Sequence, residues 1–332
     1  MPQIRWPQSI CRFGLARRDV TPPPGIYHRM WGAASHDRST GVHRPLTATA
    51  LVFAPAESEA DGSASAQVVV AVDHCLLWSG EMDALRGAVC KRAGIDPEQL
   101  TVAFSHTHAA GLMGWERESL PGGELIRPYL DQLAESTAAA VVEALSQMQT
   151  VTMTAARGRC DLAAQRDFWD EDSGQFVCGL NPDAPADDTL LLTRVSDEAG
   201  SVVATLVNYA CHPTTLAWEN TQVSPDFPGA MREVVERATG APCVFLQGAS
   251  GDMGPREGFV GDVEVADRNG RQLGYAALAT LEALPPPRTL YQYRGPVLSG
   301  ATLGRWDYQP LRDDEQQTKS LWQARHWTVD LP

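Results

Sequence analysis

Positive charge is scarce in this sequence. Its 332 residues carry 27 Lys and Arg against 41 Asp and Glu, a net charge of −14, with no lysine- or arginine-rich run. That argues against binding a nucleic-acid backbone, which needs a basic surface. No stretch reaches the roughly 18 apolar residues of a membrane-spanning helix. The opening "MPQIRWPQSICRFG" has no apolar core of signal-peptide length. These absences predict a cytoplasmic protein without a membrane span. The seven cysteines are scattered, odd in number and never spaced C-x-x-C. They read as buried free thiols in a reducing compartment, with Cys211, beside His212, as the only candidate nucleophile among them. There is no P-loop and no G-x-G-x-x-G, so nucleotide binding has no support. No internal repeat or low-complexity tract is present, and the even spread of charge offers no docking face from which to assign an oligomeric state.

What is present suits a folded enzyme. The apolar fraction is 43% and the charged fraction 20%, values of a soluble globular protein long enough to bury a core. Residues 45–54 read as a strand, and 57–66 as a polar loop. "QVVVAVDHCLL" (67–77) is a β-branched run of the kind buried on both faces. Ser79 is placed to cap a helix over 80–93, with Gly94 at the position where a helix-ending glycine belongs. With a strand at 101–105, this is a β-α-β unit and predicts a parallel pair. Further helices are expected at 126–147, from Pro228 to Ala238 before Gly240, and at 266–284 before "PPP". Further strands are expected at 151–158, 188–195, 202–210 and 242–247. The sum is one α/β domain over 1–332, with a mixed, largely parallel sheet flanked by helices. Its core spans about 13–284, and 285–332 is an irregular, strand-containing tail.

In open α/β sheets, ligands bind beyond the carboxyl ends of strands. Here those ends are unusually polar. The strand from 67 delivers Asp73 and His74. "TVAFSHTHAAG" (101–111) delivers His106 and His108. The strand from 202 delivers Cys211 and His212, and the strand at 242–247 leads into "GASGDMGP" (248–255). On extended backbone, residues two apart face the same way, so His106 and His108 are expected to reach one pocket. Neutral imidazole is a preferred zinc ligand, and catalytic zinc keeps a position for water. A further histidine beside it suits proton transfer. Asp73 is open to three readings: metal ligand, carboxylate orienting a histidine, or helix cap. His74 is expected to point away from Asp73 into packing or surface. His28, His36 and His326 read as structural or exposed, and His43 as a reserve candidate. Ser250 lies in G-A-S-G-D, where the nucleophile elbow G-x-S-x-G would require glycine instead of Asp252. A glycine-rich turn bringing N–H groups and Asp252 to the site is the better reading.

Three stretches, "SHTHAAG" (105–111), "NYACHPTTL" (208–216) and "LQGASGDMGPR" (246–256), occur in an order and at distances that resemble the catalytic domain of the neutral/alkaline, non-lysosomal ceramidases. "RRDVTPPPG" (17–25), "GVHRPLTATALVF" (41–53) and "NPDAPADDTLLLTRV" (181–195) fit the same pattern, so the resemblance covers about 13–284. It implies that His106 and His212 hold a zinc ion, that His108 assists proton transfer, and that Arg166, in "AAQRDFW", steadies a polarised carbonyl. Three departures stand. The family's later glutamate and tyrosine have no match after Pro285, and "HWTVDLP" reads as the middle of a domain. Either the chain is truncated, or Asp73 or water completes the zinc site. Gly254 replaces the serine of the family's G-D-x-S-P. Neither an export signal nor a carboxyl-terminal immunoglobulin-like domain is seen.

The expected activity is therefore zinc-dependent hydrolysis of an amide in a small molecule or N-acyl lipid such as a sphingolipid, with His108, Arg166 and Asp252 catalytic and His106, His212 and Asp73 on the metal. The alternatives are an ester or phosphoester hydrolase with two metals and Asp73 and Asp252 as bridging or terminal ligands, or an inactive relative.

Overall fold

The computed structural model describes residues 1–57, 65–320, 325 and 327. In chain order the main elements are β1 (Gln8–Asp19), β2 (Thr47–Pro55), β3 (Gln67–Val72), α1 (Ser79–Ala93), β4 (Leu100–Phe104), α2 (Ile126–Ser146), β5 (Gln149–Arg159), β6 (Thr189–Ser196), β7 (Val202–Tyr209), α3 (Phe227–Thr239), β8 (Cys243–Gln247) and α4 (Val263–Glu282). Local chemistry explains several boundaries. Gly94 ends α1 in the left-handed conformation, at φ 67. Asp226 starts α3 by accepting the Phe227 N–H, with Pro228 in the first turn. Ser79 is the first residue of α1 and not its side-chain cap. The strand within the apolar run 67–77 ends at Val72, and Asp73 and His74 follow it as expected.

The eight strands form one sheet in the order β8-β7-β6-β5-β1-β2-β3-β4. The fold is mixed α/β, as expected, but the sheet is not largely parallel. Only β3/β4 and β7/β8 are parallel pairs. The five pairings between them are antiparallel. The expectation went astray mainly at β1, whose "CRFGLARRD" interrupts the apolar pattern with Arg12, Arg17 and Arg18. Tertiary partners make those charges acceptable in a central strand. Arg17 donates to Thr49 Oγ1, Glu236 and the Cys243 carbonyl, and Arg18 pairs with Glu143.

Alternation along the strands shows how the sheet is folded. Ala50 and Val52 of β2 face a core shared with α1 and α2, whereas Leu51 and Phe53 face the other way. Cys243 and Phe245 of β8 face a second core under α3 and α4, while Val244 joins Leu51, Phe53, Phe13, Val151 and Ala204. The sheet thus doubles over so that its inner face packs on itself, with one helix pair on each outer side. Its edge strands β4 and β8 come into contact.

A buried ion pair locks this closure. Arg232 of α3 donates Nη1 to Asp73 Oδ1 at 2.8 Å and Nη2 to Oδ2 at 2.7 Å. The Thr47 N–H and hydroxyl each reach Oδ2 at 2.9 Å. Asp73 is 2% exposed. Burial alone would raise its pKa, but Arg232 and Thr47 hold it below the ordinary 3.8.

The tail contains more structure than the sequence suggests. Thr289–Ser299 and Ala301–Pro310 pair as a long hairpin, with Gln3–Ile4 alongside. The second strand is almost wholly exposed and so carries no apolar stripe to betray it. Among the described residues no helix is long and apolar enough to cross a membrane.

Asp73→Leu is expected to cost about 3–5 kcal/mol by leaving Arg232 buried and uncompensated, and Asp73→Leu with Arg232→Met to recover most of it, read by urea unfolding. Because the folded-state pKa of Asp73 is depressed, its contribution is complete above the unfolded carboxylate value and is lost as pH falls below about 3.8. The acid limb of the stability curve should flatten in the double variant.

Candidate active site

Beyond Val72 and Phe104 the two chains of the β3/β4 pair stay bonded. Ser105 N–H donates to the Val72 carbonyl at 2.9 Å and His106 N–H to the His74 carbonyl at 3.0 Å. His106 then adopts φ 66, a left-handed conformation uncommon for a residue with a side chain. This replaces the extended geometry expected for His-Thr-His. The two rings share a pocket because the backbone kinks, with centroids 5.1 Å apart. Between them Thr107 is fully buried and donates to the Ser224 carbonyl at 2.8 Å, while the Ser224 N–H reaches the Ala109 carbonyl at 2.9 Å. His108 N–H meets the Pro213 carbonyl at 3.3 Å. The histidine loop is therefore stitched to the chain that follows β7.

That chain carries His212, whose ring lies 4.6 Å from His106 and 5.0 Å from His108. Hydrogen bonds define the tautomers. His106 Nδ1 lies 2.8 Å from the Cys75 carbonyl, and His212 Nδ1 lies 3.1 Å from the Ser250 carbonyl. A carbonyl only accepts, so both protons sit on Nδ1 and both Nε2 atoms are unprotonated. His108 Nε2 lies 3.0 Å from His212 Nε2. His108 is consequently the donor, carrying its proton on Nε2. Burial lowers the pKa of His108 to about 3, with further lowering from His212, His106 and Arg166. Burial likewise lowers His212 to about 4 against the opposing Ser250 carbonyl. Imidazoles with unprotonated Nε2 atoms, each oriented by a carbonyl on the other nitrogen, suit a divalent metal of zinc type. Cys75 adds a soft donor nearby: one ligand atom each from Cys75, His106 and His108 lie within 4.8 Å of one another. Its thiol is pushed up to about 12 by burial.

Arg166 is held against the same cluster. A short antiparallel ladder pairs Gln165 with Met253, and His212 N–H donates to the Met253 carbonyl. Arg166 donates Nε and Nη2 to the Gly251 carbonyl at 3.0 and 2.6 Å, and its charge depresses both His108 and His212. The structure thus brings together His106, His108, His212 and Arg166.

The two acidic residues stand elsewhere. Asp73 as a metal ligand is corrected: both of its oxygens are engaged by Arg232 and Thr47, and it neither orients a histidine nor caps α1. Asp252 accepts from Gln165 Nε2 at 3.0 Å, and its carbonyl accepts the Arg166 N–H. It holds the segment bearing Arg166. The carboxylates that would bridge two metals are both occupied with other partners. Ser250 Oγ is bonded to Gln247 Nε2, not to a base. Cys211 is buried, with its pKa raised by burial, and belongs to the core. His74 is buried against Tyr129 and Phe104, as packing. His326 lies outside the described residues.

The histidines read as structural include the supports of the site, though not what each one supports. His28, 3% exposed, contacts the Ala109 carbonyl at 3.1 Å and His36 at 3.1 Å. His43, the reserve candidate, stands behind the site between Ser224 Oγ and Asp267. Ser224 is fully buried and its Oγ accepts the Asp226 N–H, so this row is scaffolding and not a nucleophile relay. No local pattern marks residues that act through a distant carbonyl.

No family model and no curated protein matches the chain. Among solved structures it is similar to a ceramidase complexed with C2, with TM-score 0.67, 17% identity, and coverage of 87% of this chain and 46% of that one. It is similar also to the neutral ceramidase of Pseudomonas aeruginosa, with TM-score 0.66, 17% identity, and coverage of 87% and 48%. The chain thus spans about half the length of these neighbours and shares their α/β fold, in agreement with the likeness implied by the ordered motifs.

Thr107→Val keeps the shape but strands the buried Ser224 carbonyl. The expected cost is about 1–3 kcal/mol in denaturant unfolding, with faster amide exchange at Ala109 and Ser224. Unchanged exchange there would show that the hydroxyl does not hold the loop.

Proposed function

We propose that the chain is a zinc-dependent hydrolase of amide bonds, in which His106 and His212 hold the ion through Nε2. The carrying observation is the pair of tautomers set by the Cys75 and Ser250 carbonyls; His212 would give an ion the lone pair that His108 Nε2 meets at 3.0 Å and so release the His108 proton. When bound, zinc supplies Lewis acidity, polarising a carbonyl and making water a usable nucleophile at neutral pH. The protein groups supply the rest. Arg166 lies where its guanidinium can stabilise negative charge developing on the carbonyl oxygen. His108 can first accept a proton from the attacking water at its unprotonated nitrogen, and then hand its Nε2 proton to the leaving nitrogen as the carbon–nitrogen bond breaks. The net reaction adds one water across the bond and yields a carboxylic acid and an amine.

The structural neighbours are ceramidases, which supports an N-acyl lipid such as ceramide as substrate. A smaller soluble amide fits the same chemistry. The engagement of Asp73 and Asp252 by Arg232 and Gln165 favours one metal over two.

Elemental analysis of the purified chain should find about one zinc per chain, lost in His106→Ala and in His212→Ala. His108→Ala should retain the zinc and lower kcat on amides by about 10²–10⁴-fold. A well-folded parent chain that binds no zinc overturns the proposal, as does a metal content unchanged by either ligand substitution.

A further inference from the structure

Three aromatic rings stand beside His108 and belong to none of the apolar clusters of the core. The Trp31 ring lies 5.1 Å from that of His108. Trp218 lies 6.2 Å from Trp31 and Phe259 5.8 Å, both nearly perpendicular to it. Trp218 and Phe259 are near-parallel at 16°, with centroids 6.5 Å apart. Trp218 is 37% exposed, and Trp31 and Phe259 are half-buried. An aromatic group that stays partly wet beside an acid/base residue adds little to the core and offers a face to a ligand.

The wall is built from the same chain that delivers His212. Thr214 and Thr215 accept from the Phe259 and Val260 N–H groups at 2.9 and 2.8 Å, and the Ala217 N–H returns to the Val260 carbonyl at 2.8 Å. This ladder sets Trp218 and Phe259 side by side a few residues from His212. Phe259 is held at φ 57, where a bulky residue is a genuine outlier. Strain of this kind persists where the surroundings impose it, and it clusters at ligand sites.

The position of the wall gives it a side. On the hydrolase reading, Arg166, bonded to Gly251, serves the carbonyl oxygen, and His108 the leaving nitrogen. Trp31 packs on His108. A substituent on the amide nitrogen would therefore run along Trp31 toward Trp218 and Phe259. Resting on the hydrolase reading above, we propose that Trp31, Trp218 and Phe259 form the subsite for an aromatic or alkyl substituent on the leaving amine. The rings supply apolar contact, and their faces also favour the ammonium formed after cleavage.

Two measurements test this separately from the activity. Phenethylamine and phenylacetate are titrated into the full chain while tryptophan emission is followed. The amine should give a saturable change whose apparent Kd rises about 10-fold in Trp218→Ala and is largely restored in Trp218→Phe, and the acid should give none. In hydrolysis, an N-phenethyl and an N-methyl amide of the same acid are compared. Trp218→Ala should lower the ratio of their kcat/KM values about 10-fold. A preference that follows the acyl group, or a ratio and amine affinity untouched by Trp218→Ala, overturns the subsite. If neither amide is hydrolysed, the hydrolase reading fails, and the amine titration still decides whether the wall binds the group assigned to it.

Discussion

The Asp73–Arg232 pair sits where two edges of one sheet must meet. β3 and β4 form one parallel pair and β7 and β8 the other, at opposite ends of the strand order. On a flat sheet β4 and β7 would be about 29 Å apart at the usual strand spacing. With an odd number of antiparallel steps between β3 and β7, their carboxyl ends would also point in opposite directions. Yet the rings of His106 and His212 lie 4.6 Å apart. The site exists because the sheet folds over on its inner face, and Asp73 at the end of β3 grips Arg232 of α3, the helix that leads into β8. Arg17 repeats the device from β1, reaching Glu236 and the Cys243 carbonyl. A buried ion pair is a doubtful source of net stability, because desolvation offsets most of its attraction. Its value here is specificity of closure, since a carboxylate with both oxygens engaged admits few alternative arrangements.

Closure alone would only bring histidines near one another. Their chemistry depends on which nitrogen of each ring carries the proton, and backbone carbonyls decide that. Cys75 and Ser250 each present a carbonyl to an Nδ1, leaving Nε2 unprotonated on His106 and His212. His108 has no such partner on the described geometry and instead directs its proton at His212. Three residues of one type thereby divide into two with an unprotonated Nε2 and one that donates from it. Burial reinforces the division by disfavouring the charged imidazolium, as the depressed pKa values of His108 and His212 show.

The supporting layer behind these rings is polar and mostly buried. Thr107, Ser224, His28, His43 and Asp267 hold one another and the Ala109 carbonyl through donors and acceptors that are each satisfied. Such a network defines one arrangement of the histidine loop and can hold His106 at its left-handed φ, a conformation the chain would not adopt unaided. The aromatic wall is positioned by the same means, through a backbone ladder that continues from His212.

Much of this was legible in the sequence, because periodicity and punctuation are local. The helices near 126–146 and 263–282, the buried β-branched strand from 67, Gly94 and Gly240 as helix ends, and histidines just beyond strands all follow from neighbouring residues. So does the ordered set of motifs that resembles the ceramidases, whose fold the chain shares. Other features depended on residues far apart in the chain. β1 hides its place at the centre of the sheet behind arginines whose carboxylate partners, Glu236 and Glu143, lie more than a hundred residues away. Asp73 has the right residue type and the right strand end for a metal ligand, and only the position of Arg232 assigns it to the scaffold. The sequence by itself determined which elements form and which side chains sit at their ends. The tertiary structure decided which of those ends meet, because curvature of a sheet and the direction of a carbonyl are properties of the assembled backbone and not of any short stretch of it.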